Sequence, residues 1–190
     1  MPALSEFCHQ HRNIELELTV DDTITDIVAR GFDAGVRIGS LLEKDMVALP
    51  LTPDLPLSIV ASPDYLRRYG EPLTTDDLRD HNCLRVVHPT TGQLFPWQLR
   101  DGKRRFDFMP SGNLTINDDA VVLQSLLHGS GIGCMLLADV QVYIDNGMLV
   151  SLLQDVVAPL PGFYIYYVHN RHMPGALRQL LDYLKERRDW

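Results

Sequence analysis

The sequence predicts an α/β fold built from two alternating stretches of strands and helices. Two observations carry that prediction. Between residues 14 and 39 the hydrophobic period changes. Ile14, Leu16, Leu18 and Val20 alternate with Glu15, Glu17 and Thr19, then Ile24, Ile27 and Val28 share one helical face, and Gly31 precedes a second apolar run at 32–38. Residues 113–136 repeat the order: an alternating strand, a cap at Asn117–Asp119, inward positions Val122, Leu123, Leu126 and Leu127, a stop at Gly129 and a buried strand at 132–136. A strand–helix–strand unit of the crossover kind implies parallel strands. In such sheets ligands gather beyond the carboxyl ends of the strands, near helix N-termini.

The remaining elements follow in order. Residues 1–11 read as a helix, with Leu4, Phe7, Cys8 and His11 on one face and Pro2 in the first turn. Residues 46–51 and 57–61 are apolar strands separated by Pro50, Pro53 and Pro56. Ser62-Pro63-Asp64 opens a short helix, Ser62 at the cap and proline at its first position, which Gly70 closes. A further short helix is expected at 75–80, a strand at 82–87 and a loop at 88–92. A hairpin turns at Asp101-Gly102 between strands 94–101 and 105–108. A short helix at 138–144, an aromatic and β-branched strand at 162–169 and an amphipathic helix at 174–188 complete the chain. The proline-rich turn at 53–56 and the segment 159–162, or the strand after it, are the candidate lobe junctions.

Composition sets the bounds. A chain of 190 residues with 45% hydrophobic and 22% charged residues is ordinary for a globular protein and can bury a core. A net charge of −8 and pI near 5.2 argue against a large nucleic-acid footprint within these residues. Three cysteines, Cys8, Cys83 and Cys134, are odd in number and far apart, so reduced thiols in the cytoplasm are expected rather than a disulfide scaffold. No signal peptide pattern and no membrane-length apolar run is visible.

The runs DDTITDIVARGFDAGVRIG, LSIVASPDYLRRYG, LTTDDLRDHNCL, NDDAVVLQSLLHGSGIGCML and PGALRQLLDYLKER together resemble the effector-binding domain of LysR-type transcriptional regulators. The resemblance covers nearly the whole chain, with the motifs in the family's order. It implies a fold like the type 2 periplasmic binding proteins, two Rossmann-like lobes joined by two crossover strands. Lobe I is then expected from 1–57 plus 168–190 and lobe II from 58–167. It further implies a small-molecule effector in the inter-lobe cleft, no catalytic activity and no cofactor. Partners would be a second copy of the chain in a homodimer, or a tetramer in the full-length regulator. DNA would be contacted only through an N-terminal winged helix-turn-helix that these residues do not contain. The family's first strand is expected to be missing as well. A solute-binding protein of a transport system, on a similar fold, is the alternative.

Candidate effector contacts are the polar groups at strand ends and helix starts: Asp21, Asp22, Thr23, Arg37, Ser62, His88, Thr90, Thr91, Asn117, Asp118 and Asp119. Each has a plainer role beside it. Asp21, Asp22, Thr23, Ser62 and Asn117–Asp119 are also natural caps, whose side-chain oxygens accept free N–H groups of a first turn. Ser62 and the N–H groups behind it could hold a carboxylate. Two carboxylates at 21–22 repel an anion and favour a ligand with amine, hydroxyl or cationic groups. His88, Thr90 and Thr91 lie in a loop where family members contact effectors. Arg37 binds an acid or pairs internally with Asp33 or Asp22. Gly129-Ser130-Gly131-Ile132-Gly133 joins a helix to a strand, the wrong order for a dinucleotide fingerprint. His9/His11 and His169/His172 lack acidic or cysteine companions at metal spacing, so no metal site is expected. Cys83 and Cys134 read as inert core thiols, and Lys103-Arg104-Arg105 as a solvated hairpin.

Overall fold

The computed structural model describes residues 2–20, 27, 29–39, 46–88, 91–102, 104–168 and 173–187. Two compact units form: residues 1–54 with 161–190, and residues 55–160. The chain therefore passes between units twice, at Asp54–Leu55 and at Leu160–Pro161. Both crossings lie beside prolines, Pro53 and Pro56 at one and Pro159 and Pro161 at the other, and Leu55 and Leu160 bridge antiparallel there through N–H···O bonds of 2.8 and 3.0 Å.

Unit 1 contains helix α1 (Pro2–Gln10), strands β1 (Gly35–Ile38), β2 (Met46–Pro50) and β10 (Phe163–Val168), and helix α5 (Gly175–Glu186). The strands pair in the order β1–β10–β2, antiparallel throughout. Ile165 of the central strand faces Leu177 and Leu181 of α5, and Phe7 of α1 packs on Leu180 and Tyr183 of the same helix. Arg187 at the end of α5 donates to Glu6 of α1 at 2.6 Å. The strand expected at 14–20 is absent. Those residues run without ladder partners among the described residues. Ile14 and Leu16 alternate because they drop into the α1–α5 cluster, while Val20 is 86% exposed. The parallel crossover expected here is likewise corrected, since β1 pairs antiparallel with β10. The expected helical residues 24–26 and 28 lie outside the described residues. The C-terminal lobe boundary expected at 167/168 would cut off β10; that strand pairs with β1 and β2, so it belongs to unit 1.

Unit 2 holds strands β3 (Leu57–Ala61), β4 (Arg85–Val86), β5 (Trp97–Asp101), β6 (Arg104–Phe108), β7 (Thr115–Ile116), β8 (Ile132–Leu136) and β9 (Val150–Leu152). Its helices are α2 (Pro63–Tyr69), α3 (Asp119–Leu127) and α4 (Leu137–Asp145), with a short 3-10 helix at Asp77–Asp80. Strand β3 is central between β8 and β9, both antiparallel to it. β4 pairs parallel with β7, and Cys83, just before β4, bridges parallel to Ile132 of β8. The parallel crossover unit is thus β7–α3–β8, where the second alternating stretch placed it. One face of this sheet packs Val60, Leu84, Ile116 and Met135 against Val122 and Leu126 of α3 and Val140 of α4. The other packs Ile59, Cys83, Ile132 and Leu152 against Tyr65, Leu78 and the β5–β6 hairpin residues Trp97, Leu99 and Phe108. The hairpin turns at Gly102, in the left-handed region at φ 56°. β9 was not expected, because three residues are too few to show a period.

Candidate functional site

The sheet of unit 2 has two ends, and register decides which polar groups meet. β4 and β7 run parallel and end together: the Val87 N–H donates to the Ile116 carbonyl at 2.9 Å. His88 follows directly on one side, and Asn117 and Asp118 on the other. Asp118 caps α3, its Oδ1 accepting the Val121 N–H at 3.0 Å. Asp119 occupies the first helical position, and Asn117, Asp118 and Asp119 are all exposed. The loop after β4 folds back on itself. The His88 N–H donates to Gln93 O at 2.8 Å, the Gly92 N–H donates to His88 O at 2.9 Å, and Val87 bridges Leu94. Thr91 Oγ1 accepts the Gln93 N–H at 3.3 Å, so this hydroxyl shapes the loop. The fold-back sets the Phe95 ring 5.7 Å from the His88 ring with 46% of Phe95 exposed.

Ser62 does not join this group. Its Oγ accepts the Tyr65 N–H at 3.3 Å, and the residue is only 2% exposed. Ala61, just before it, pairs with Ile132 at the start of β8, whereas Asn117 follows the end of β7. Ser62 thus sits beside the C-terminal end of α3, where a Cβ on Gly129 would come within 3.3 Å of its Oγ. Asp118 caps the other end of that nine-residue helix, about 13 Å away at 1.5 Å per residue. The expectation that Ser62 shares a ligand with Asp118 is therefore corrected: it is a buried cap. Ser62→Ala should lower stability by about 1 kcal/mol, read by urea denaturation.

Arg37 lies in β1 of unit 1 with its guanidinium 5.2 Å from the centre of the Tyr166 ring, an aromatic contact the sequence reading did not foresee. Asp21, Asp22, Thr23 and Thr90 lie outside the described residues. Two residues near the strand ends escaped the sequence reading. Phe95 reads as a loop residue until the fold-back is known. Arg85 pairs across the ladder with Thr115, and its Nε is buried without a hydrogen-bond partner among the described residues. An arginine inside an apolar run was the available signal.

No cluster of three or more metal-ligating side chains occurs among the described residues. His9 Nδ1 bonds Ser5 O at 2.8 Å and His11 stacks on Phe7 at 4.5 Å. Gly129, at φ 72°, ends α3, and 130–131 lead into β8. Burial pushes the Cys83 and Cys134 thiols up to about 12, so neither carries thiolate near neutral pH. Cys8 is exposed. Titration of native protein with an aromatic disulfide reagent at pH 8 should therefore show one fast thiol, Cys8, and two that appear only on denaturation.

Two units, one built round an antiparallel three-stranded sheet and the other round a mixed sheet with a parallel crossover, are the frame into which the comparisons with known proteins fit. The chain belongs to the LysR substrate binding domain family, whose model matches residues 1–189. The fold is accordingly periplasmic-binding-protein-like. The HTH-type transcriptional regulators YcaN and PgrR of Escherichia coli K12 are 38% and 35% identical to it over 185 residues. These matches cover 97% of this chain but only 60% and 62% of those proteins, so the chain spans about three-fifths of their length. Among solved structures, the regulatory domain of AphB from Vibrio vulnificus superposes with a TM-score of 0.80 at 28% identity, covering 97% of this chain and 90% of that one. The regulatory domain of CrgA, a LysR-type regulator of Neisseria meningitidis, gives 0.80 at 27%, covering 97% and 89%. These relatives are regulators, which does not favour the transport reading. No helix among the described residues is long and apolar enough to cross a membrane.

Proposed function

We propose that this domain senses a small-molecule effector for a cytoplasmic LysR-type transcriptional regulator, contacting it at the carboxyl ends of β4 and β7. The observation that carries the reading is the Val87–Ile116 hydrogen bond, which holds the 88–95 loop and the Asn117–Asp118 cap side by side. His88, Asn117 and Asp118 then supply donors and acceptors, and the Phe95 ring supplies an apolar surface. Nothing in this group provides a nucleophile with a base, so the ligand is gripped and released unchanged. Two copies of the domain pair as a homodimer, or within a tetramer of the full-length regulator, and DNA is reached through a separate DNA-binding region. Ligand binding shifts the balance between two arrangements of the assembly by its differential affinity for them. Thr90, Asp21, Asp22, Thr23 and Arg37 are further candidate contacts on the same reading.

A thermal-shift screen of small metabolites tests it. At least one compound should raise the melting temperature, and His88→Ala and Asn117→Ala should each cut its affinity about tenfold. Ser62→Ala should leave that affinity unchanged. A stabilising compound whose binding ignores both His88→Ala and Asn117→Ala would place the site elsewhere.

A further inference from the structure

A hollow lies in unit 2, away from the β4–β7 rim. It opens because β9 is too short. β9 pairs only with Ile59, Val60 and Ala61, which leaves the β9 side of Leu57 and Ser58 uncovered. After Leu152 the chain turns away through Leu153 at φ 46° and Asp155 at φ 67°. These are the described residues other than glycine with positive φ. A branched residue in that region is strained, and such strain persists only where surrounding contacts impose it. The contacts are visible. Arg100 on β5 receives the segment, its N–H donating to Val156 O at 2.6 Å and its Nε to Asp155 O, while Ala158 N donates to Gln98 O at 2.9 Å. The half-open gap between β3 and this tethered segment holds about 440 Å³, within the range of sites for small organic ligands.

The lining has a defined chemistry. Leu57, Ile59, Leu137, Leu152, Leu153 and Val157 give it apolar walls. The buried Ser58 hydroxyl and that of Ser151 lie 2.9 Å apart at its side. With Ser151 Oγ donating to Ser58 Oγ, and Ser58 Oγ donating to the Ile59 carbonyl 3.5 Å away, both hydroxyl protons have acceptors, and the head-group contact falls to Arg100. Arg100 uses only Nε, and its two Nη groups have no partner among the described residues. A planar pair of N–H donors beside apolar walls suits a carboxylate on a hydrocarbon body. The one acid in the lining, Asp155, is exposed and disfavours a second negative charge on the ligand. We propose that this hollow is a second ligand site, taking a small apolar monocarboxylate whose head pairs with Arg100 and whose body lies against Leu57 and Val157.

The test uses hexanoate as probe, with hexanamide and hexylamine as uncharged and cationic controls. Binding to the isotope-labelled chain is followed by amide chemical shifts. Hexanoate should move the Ser58, Ser151 and Gln154 amides, with hexanamide at least tenfold weaker and hexylamine inactive. Arg100→Gln should weaken hexanoate about tenfold and Arg100→Lys should restore part of the loss. Ser151→Leu, which fills the hollow without touching the arginine, should abolish the shifts. Equal binding of hexanoate and hexanamide, indifference to Arg100→Gln, or shifts confined to His88, Asn117 and Asp118 would each overturn the proposal.

Discussion

Asn82→Ala should be among the most destabilising single substitutions in unit 2, by about 2–4 kcal/mol in urea denaturation. This residue ties four segments together. Its N–H donates to Tyr65 Oη at 3.0 Å, and its carbonyl accepts the Ile132 N–H at 2.9 Å. Its Nδ2 donates to Ser130 O at 2.6 Å, and its Oδ1 accepts the Asn113 N–H at 2.9 Å. Alanine keeps the two backbone bonds and deletes both side-chain ones, leaving Ser130 O and Asn113 N without this partner; the exposed Asn113 N–H can turn to water, whereas the part-buried Ser130 carbonyl left so costs more than the net worth of its bond. Asn82→Asp separates the two. It retains the acceptor for Asn113 but replaces the donor by an oxygen facing the Ser130 carbonyl, so it should lose nearly as much as alanine. The packing around Asn82 permits no adjustment. A Cβ on Gly131 would lie 2.3 Å from Asn82 O, and one on Gly112 would lie 2.3 Å from Cys83 O. Both obstacles are backbone, which cannot swing aside as a side chain can.

Asn82 also shows what the sequence could and could not convey. Periodicity marked 82–87 as a strand, because Cys83, Leu84 and Val86 are apolar. It could not say that the asparagine at its start would bond two segments 31 and 48 residues away. Such partners are fixed by tertiary register, and register has no local signature. Elements whose stability is local were legible: the Ser62 and Asp118 caps, the Gly102 turn and the Leu177/Leu181 stripe each depend on residues within a few positions. The strand forecast for 14–20 failed for a related reason. Alternation reports which side chains turn toward a core, and Ile14 and Leu16 are partly buried against helices rather than in a sheet. At the candidate site the capping chemistry of Asp118 was readable, but its juxtaposition with His88 required the parallel pairing of β4 with β7. The same pairing separated Ser62, whose local sequence is indistinguishable in kind.

In unit 1 the corresponding result should come from Gly35. It sits inside strand β1 opposite Tyr166 of β10, and a Cβ there would fall 2.5 Å from the Tyr166 ring carbon Cζ and its hydroxyl. The ring cannot retreat easily, because Tyr166 is 4% exposed and Arg37 lies 5.2 Å from its centre. A glycine within a strand pattern marks such a close approach; here it makes room for the aromatic ring across the ladder. Gly39 repeats the device, since a methyl group there would lie 2.6 Å from the Tyr164 ring. Gly35→Ala should therefore cost about 1–3 kcal/mol, the usual range for forcing volume into a packed site. Gly175, where an added Cβ meets nothing within 4 Å, is the matched control and should tolerate alanine. Contact rather than backbone strain is the cause, since Gly35 is not among the glycines with positive φ. A double-mutant cycle isolates it: Tyr166→Leu opens the space, so Gly35→Ala in that background should lose most of its cost, and a coupling near zero would refute the steric account.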